Sequence, residues 1–319
     1  MRAFHKPGPD APATLMQIDR PDPAPGQIRV KIAACGLNFA DLLILKGQYQ
    51  DTPAAPFTLG MEVAGTIDAL GEGVSGPAIG TPVAVFGGHG GLAEFGCFDA
   101  ARAVALPEGM PMTDAAAFLI AYGTSHLALD HRARMQPGET LLVLGAAGGV
   151  GLTAVEVGKL MGATVIACAR GTDKLQAARN AGADHLIDAA TDDIREVVRS
   201  LGGADVVYDP VGGDQWQAAF RACKPEARLL PIGFASGEVP QIPANHLLVK
   251  NLSVLGVYWG GYLRFRPQAV TDSLRILLDW YAQGRLRPHV SHILPLEQVD
   301  HGLELLRSRA STGKVVITL

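Results

Sequence analysis

The sequence has few cysteines, little net charge and no long unbroken apolar run, and each shortage excludes something. Cys35, Cys97, Cys168 and Cys223 are scattered, with no C-x-x-C pair among them. Free thiols in a cytosolic protein are therefore expected rather than a disulfide framework. The formal net charge is only −4 and no long basic run occurs, which argues against nucleic acid or an anionic membrane as a partner. The longest apolar zones are broken by glycine clusters and by Glu156 and Lys159, so they do not read as membrane spans. The opening Met1-Arg2-Ala3-Phe4-His5-Lys6-Pro7 lacks the apolar core of a secretory signal. What remains is 319 residues, 48% hydrophobic and 18% charged. That is a soluble globular chain with room for about two domains and a sizeable core.

The two halves differ in rhythm. Up to about residue 118 the chain is turn-rich and β-prone. The turn Pro21 to Gly26 leads into an alternating run over Gln27 to Ala34, and Gly60 to Leu70 and Thr81 to Phe86 read as further strands between glycine and proline punctuation. This is not a βαβ repeat; it suggests an antiparallel, barrel-like domain. From about Asp114 helical periodicity begins, and β-prone runs then alternate with helical ones. The strands expected are Thr140 to Leu144, Thr164 to Ala169, His185 to Asp188, Ala204 to Asp209, Arg228 to Gly233 and Ser253 to Val257. Such alternation argues a doubly wound parallel sheet with helices on both faces. After Trp259 the pattern is mostly helical, longest over Pro267 to Gln283, and the chain ends in a β-prone Gly313 to Leu319 that could return to the first domain.

The centre of the chain is Thr140 to Ala169. An apolar strand runs into Gly145-Ala146-Ala147-Gly148-Gly149-Val150-Gly151, a helical stretch over Leu152 to Met161 stops at Gly162, and a second strand follows. In a G-x-G-x-x-G dinucleotide turn the second glycine lets a pyrophosphate approach the backbone and the third lets helix and strand pack closely. Gly148 and Gly151 fill those places, whereas Ala146 stands at the first. The pyrophosphate would rest on the N–H groups and positive dipole end of the helix. The alternative reading is a glycine turn with a purely structural role.

The tip of the second strand speaks to cofactor choice. An NAD site calls for an acid there, to bond the ribose 2′-hydroxyl. This strand ends Cys168-Ala169-Arg170-Gly171-Thr172-Asp173-Lys174, with Arg170 at the tip and Asp173 two residues too late. Arg170 and Lys174 could hold a 2′-phosphate, the arginine by a forked contact and the lysine as a point charge. Two solvated surface cations are the alternative.

A β-rich first half, a mid-chain AAGGVG turn and a return strand GKVVITL together resemble the medium-chain dehydrogenase/reductase superfamily. Gly36-Leu37-Asn38-Phe39-Ala40-Asp41 is similar to the GLNxxD segment of its zinc-free quinone oxidoreductase branch, which includes zeta-crystallin. Pro56 to Gly65 resembles that branch's P-x-x-x-G-x-E-x-x-G segment, Tyr208 to Gly213 its D-x-V-G turn, and Asn245 to Gly256 its segment joining the domains. The resemblance covers essentially the whole chain. It implies an α/β fold with a GroES-like catalytic domain over 1–118 and 260–319 and a Rossmann domain over 119–259. It also implies an NADPH-dependent reductase of quinones or conjugated enones, with a 2-enoyl-thioester reductase or a non-catalytic NADPH-binding protein as alternatives.

The same resemblance distributes roles. In the zinc alcohol dehydrogenase branch a catalytic metal is held by a Cys, by a His before a Glu, and by a later Cys. Here Asn38 stands at the first position, Met61 stands in the His position before Glu62, and Ala121 to Thr124 offers no thiol. Zinc needs three good N, S or O ligands, so no metal is expected and Glu62 is expected to be structural. The candidate catalytic residues are Asn38, as a hydrogen-bond donor to the acceptor oxygen, Asp41, as the anchor of its loop, and Tyr49, as a pocket wall or proton donor. A turn-stabilising polar group, or for Tyr49 a packed ring, is the alternative in each case. Cofactor contacts are expected from Thr124, Ala147, Gly148, Gly149, Val150 and Gly151, and on the adenosine side from Arg170 and Lys174. Gly212, Gly233, Phe234 and Tyr258 complete the set, with Gly233 to Ser236 and Tyr258-Trp259 flanking the nicotinamide. NADPH-preferring relatives often carry a tyrosine after the strand that here ends Ile187-Asp188; this chain has Ala189, which leaves the 2′-phosphate to Arg170 and Lys174. His89, in a glycine-rich loop, is expected to be exposed. The family commonly forms homodimers by pairing Rossmann edge strands, and the candidate edge here is Ser253 to Val257, apolar on both faces.

Overall fold

The structure, a computed structural model, describes residues 1–319. The chain forms two compact units, unit 1 from Met1–Ile120 with Pro288–Leu319 and unit 2 from Ala121–Arg287.

Unit 1 begins with strands β1 (Arg2–Lys6), β2 (Thr14–Gln17) and β3 (Gln27–Leu37) and helix α1 (Phe39–Leu45). Strands β4 (Phe57–Thr58), β5 (Glu62–Leu70), β6 (Pro82–Phe86), β7 (Phe95–Asp99) and β8 (Ala103–Ala105) follow, then helix α2 (Met112–Ala116). Helix α3 (Leu119–His126) spans the first crossing between units.

Unit 2 continues with a π-helical stretch, Leu127–Arg132, and then alternates strands with helices. These are β9 (Thr140–Val143), α4 (Gly149–Leu160), β10 (Thr164–Ala169), α5 (Thr172–Asn180), β11 (His185–Asp188), α6 (Ile194–Ser200), β12 (Ala204–Asp209), α7 (Gly213–Ala222), β13 (Cys223–Pro231), α8 (Ala244–Lys250) and β14 (Ser253–Val254). Two further helices, α9 (Trp259–Phe265) and α10 (Pro267–Ala282), close the unit. Back in unit 1 the chain makes β15 (Val290–Pro295), α11 (Val299–Arg307) and β16 (Lys314–Thr318).

In unit 1 the main sheet runs β15-β16-β3-β5-β6-β8, with β7 also on β3. Its pairings are antiparallel except β15 on β16. The alternation along β3 explains its place: Ile28, Val30 and Ile32 are buried while Lys31 is exposed. The C-terminal strand returns as its sequence suggests, with Val315 opposite Leu37 and Val316 opposite Gly36. This lays the last residues of the chain against the stretch that carries Asn38.

In unit 2 the six strands are all parallel in the order β11-β10-β9-β12-β13-β14, the order of a doubly wound dinucleotide fold. Leu141, Leu142, Val143 and Val165 to Ala167 have no exposed surface, as parallel strands covered on both faces require. The order reverses between β9 and β12, so the loops after these two strands meet at a topological switch point, where such sheets bind ligands.

One expected boundary is corrected. Residues 260–287, expected with the first domain, fall in unit 2. The reason lies in the side chains of α9 and α10. The buried Ser273 hydroxyl pairs with His126 Nδ1 at 2.9 Å, the Trp280 ring meets the His126 ring edge-on at 5.4 Å, and Tyr262 packs on His131. Helical periodicity shows that such a segment is amphipathic but not which body receives its apolar face. The edge strand is also shorter than expected: pairing stops at Val254, with one further bond from the Leu255 N–H to the Leu229 carbonyl.

Candidate functional site: a dinucleotide cradle and a buried charge network

In unit 2 the turn after β9 accounts for the irregular glycine fingerprint. Gly145 has φ +57°, so it takes the left-handed position, and Ala146 beside it keeps its N–H on the Cys168 carbonyl at 3.0 Å. Gly151 is obligatory for contact: a Cβ there would lie 2.2 Å from the Gly145 carbonyl oxygen. Helix α4 starts at Gly149, three residues before the strong helical pattern. Its N-cap, Gly148, offers no side chain to the first turn. The first N–H groups of a helix have no intrahelical acceptor, so an uncapped, 12-residue helix beside a glycine turn fits the pyrophosphate of a dinucleotide. Ala147 is buried beside the turn, while Gly148 is exposed.

At the tip of β10, Arg170 is exposed and makes no hydrogen bond or ion pair with the rest of the chain. Lys174 lies one turn into α5, half-buried. An acid does stand nearby, at the end of β11, but Asp188 Oδ1 is engaged by the backbone N–H groups of Gly171 (3.1 Å) and Ala190 (3.0 Å). These bonds hold its carboxyl below the usual range. Asp188 thus shapes the loop that presents Arg170.

The loop after β12 is organised by Asp209, fully buried and without a cationic partner. Its Oδ1 accepts the N–H of Val211 at 2.7 Å and of Gly212 at 3.0 Å, and its backbone carbonyl accepts Ile232 N–H at 2.8 Å. Burial pushes its pKa up to about 6 against the pull of those N–H groups. Gly212, one of the expected cofactor contacts, has its own N–H engaged by the Asp209 carboxylate. Gly233 follows β13, Phe234 is exposed, and Tyr258 caps α9 with Arg264 over its ring. Thr124 is buried in α3.

Unit 1 holds a network the sequence did not reveal. Glu62 and Lys314 are 1% and 5% exposed and lie 2.6 Å apart. Lys314 Nζ also donates to Asn38 Oδ1 at 2.7 Å. Asn38 Nδ2 donates to Glu62 Oε1 at 3.0 Å and to the Gly36 carbonyl at 3.2 Å, and Glu62 Oε2 accepts the Ile120 N–H at 3.0 Å. Both amide hydrogens of Asn38, the expected donor to an acceptor oxygen, are thus engaged within the network. Asp41 Oδ2 accepts the Asn38 N–H at 2.8 Å. It is fully buried, and burial pushes its pKa up to about 7, although the Asn38 N–H and the Lys314 charge pull it down. Tyr49 is half-buried and packs on the unit 1 core, while Phe39 beside Asn38 is exposed. His89 is exposed, as expected of it, and its pKa is lowered, by desolvation first and by the Arg102 charge second.

Residues 24–108 match the family model of the alcohol dehydrogenase GroES-like domain, and residues 149–277 that of zinc-binding dehydrogenase. The chain is 38% identical to quinone oxidoreductase-like protein 2 of Bos taurus, over 97% of this chain and 89% of that protein. The chain belongs to the medium-chain dehydrogenase/reductase superfamily, in its quinone oxidoreductase branch. Human synaptic vesicle membrane protein VAT-1 homolog is 32% identical over 93% of this chain and 80% of its own length. Among solved structures, the quinone oxidoreductase of Thermus thermophilus, determined also as its complex with NADPH, superposes with a TM-score of 0.88 at 32% identity over the full length of both chains. The fold is that of the family, a GroES-like domain with a Rossmann-type parallel sheet.

The zinc in one family description is not matched by the donors here. The Asn38 amide is engaged by Glu62 and Lys314, Met61 is a buried thioether, and a lysine ammonium already faces Glu62. No three His, Cys, Asp or Glu side chains come together as a metal site. No helix is long and apolar enough to cross a membrane.

Proposed function

We propose that the protein is an NADPH-dependent oxidoreductase that reduces quinones or conjugated enones without zinc. The observation that carries the reading is the uncapped first turn of α4 together with the partnerless guanidinium of Arg170 at the tip of β10. The first fits a pyrophosphate and the second a 2′-phosphate. The NADPH complex of the similar Thermus thermophilus enzyme supports the same cofactor. When bound, the nicotinamide supplies the hydride. The chain's residues fix the dinucleotide: Gly148 to Gly151 by backbone and dipole, Arg170 and Lys174 by charge, and the Asp209-ordered loop by shape. A quinone takes up one hydride and one proton to give the hydroquinone. An acceptor of this kind needs less polarisation than a simple aldehyde, which suits a unit whose donors at Asn38, Met61 and Glu62 do not fit zinc. A cytoplasmic location, suggested by the four free cysteines, belongs to the same reading.

The test is consumption of NADPH against a panel of small quinones, enones and 2-enoyl thioesters. Turnover with quinones or enones, and weaker turnover with the thioesters, is expected. Preference for the thioesters would move the assignment to enoyl-thioester reduction. No turnover with tight NADPH binding would make the chain a non-catalytic binding protein.

A homodimer paired through the nucleotide units is part of this reading. Strand β14 is the outermost of its sheet and bonds only to β13. Its other edge leaves backbone donors and acceptors for a two-fold partner. Light scattering at micromolar concentration should give twice the chain mass, and Val254→Pro should shift it toward monomer. A monomeric wild type would refute the dimer, and a dimer untouched by the substitution would refute this interface.

A further inference from the structure

Glu156 lies two turns into α4, past the first turn that forms the cradle. It is half-buried, and burial raises its pKa. Its Oε2 accepts the phenolic hydroxyl of Tyr122 at 2.5 Å, and its Oε1 accepts the backbone N–H of Arg287 at 2.7 Å. These two partners occupy particular places. The chain enters unit 2 at Ala121 and leaves it at Arg287. Tyr122 is the second residue after the first crossing, and Arg287 is the last before the second. One carboxylate thus ties both ends of the nucleotide unit to a single helix.

We propose that Glu156 is a positioning residue that couples occupancy of the cradle to the two crossing segments. The inference rests on the reading of α4 as the pyrophosphate helix. A helix is stiff over the two turns separating Gly149 from Glu156, so ordering of its first turn is transmitted to the carboxylate and on to both crossings. A carboxylate has two acceptor oxygens, which is what two donors from separate segments require. Glutamine can replace it in geometry. Its oxygen accepts the Arg287 N–H while its amide donates to the Tyr122 oxygen, because a phenol both donates and accepts. Leucine can do neither.

Amide hydrogen exchange of the full chain, with and without NADPH, tests the coupling in wild type, Glu156→Leu, Glu156→Gln and Tyr122→Phe. The peptides to follow cover the cradle at 145–152 and the crossings at 120–124 and 285–289. In wild type NADPH is expected to slow exchange in all three. In Glu156→Leu the cradle should stay protected, while the NADPH-dependent protection of both crossings falls roughly five-fold or more. Glutamine should restore it, which a loss of mere packing would not predict. Tyr122→Phe should lose protection at 120–124 alone, and it keeps the test valid if the leucine variant fails to fold. Crossing segments that NADPH protects equally in wild type and in the Leu and Phe variants would overturn the coupling. An unprotected cradle in wild type would instead overturn the cofactor site itself, and the coupling with it.

Discussion

Replacing Lys314 by methionine should destabilise unit 1 by about 3–5 kcal/mol, the loss typical when one partner of a buried ion pair is removed. Methionine fills much the same volume, so the effect would be electrostatic rather than a cavity. It strands Glu62, 1% exposed, with only the Asn38 amide and the Ile120 N–H as partners, and it leaves Asn38 Oδ1 without its donor. Against a typical total stability of roughly 5–15 kcal/mol, that is a large share. Adding Glu62→Gln removes the stranded charge but keeps an acceptor for Ile120, so the double variant should recover more than about 1 kcal/mol of the loss. The readout has to report unit 1. All three tryptophans, Trp216, Trp259 and Trp280, lie in unit 2, so denaturation should be followed by hydrogen exchange in β3 and β16 rather than by fluorescence. Equal losses in the single and double variants would contradict an ionised buried pair.

Replacing Arg170 by alanine should weaken NADPH and leave NADH almost unchanged. A charge-assisted contact of this kind contributes about 1.5–3 kcal/mol, which corresponds to a dissociation constant roughly ten-fold or more higher for NADPH. Arg170 makes no contact that holds the fold, so the variant should fold normally. Asp188, the nearby acid, is engaged by the N–H groups of Gly171 and Ala190, which leaves the arginine as the main discriminator. A fluorescence titration gives both constants. Equal losses for the two cofactors would contradict a 2′-phosphate role.

The nucleotide unit was the more legible half. Strands buried on both faces read as apolar runs, and β9, β10 and β12 end within one residue of where composition puts them. The start of α4 was misplaced because Gly149, Val150 and Gly151 are poor helix formers, while tertiary packing begins the helix there all the same. The assignment of α9 and α10 to a unit could not be read, since it depends on His126 meeting Ser273, which lies 147 positions along the chain. The charge network was missed for a similar reason: Lys314 and Glu62 are 252 residues apart. A signal did exist. A lysine at the head of Lys314-Val315-Val316-Ile317 and a glutamate at the head of Glu62-Val63-Ala64 are opposite charges, each opening an apolar run. Long charged side chains are almost never fully buried unless paired, so each predicts the other once β16 is laid on β3. The partners of Asn38, Glu62 and Lys314, come together only once the strands are paired.

The most direct test of the account is NADPH turnover with a small quinone after exhaustive chelation, alongside elemental analysis of the same sample. The account predicts an unchanged rate and no stoichiometric zinc. The Asn38 amide is already engaged by Glu62 and Lys314, and Met61 offers only a thioether. About one zinc per chain, the load of a single catalytic site, with activity lost on chelation and restored by adding the metal, would contradict it.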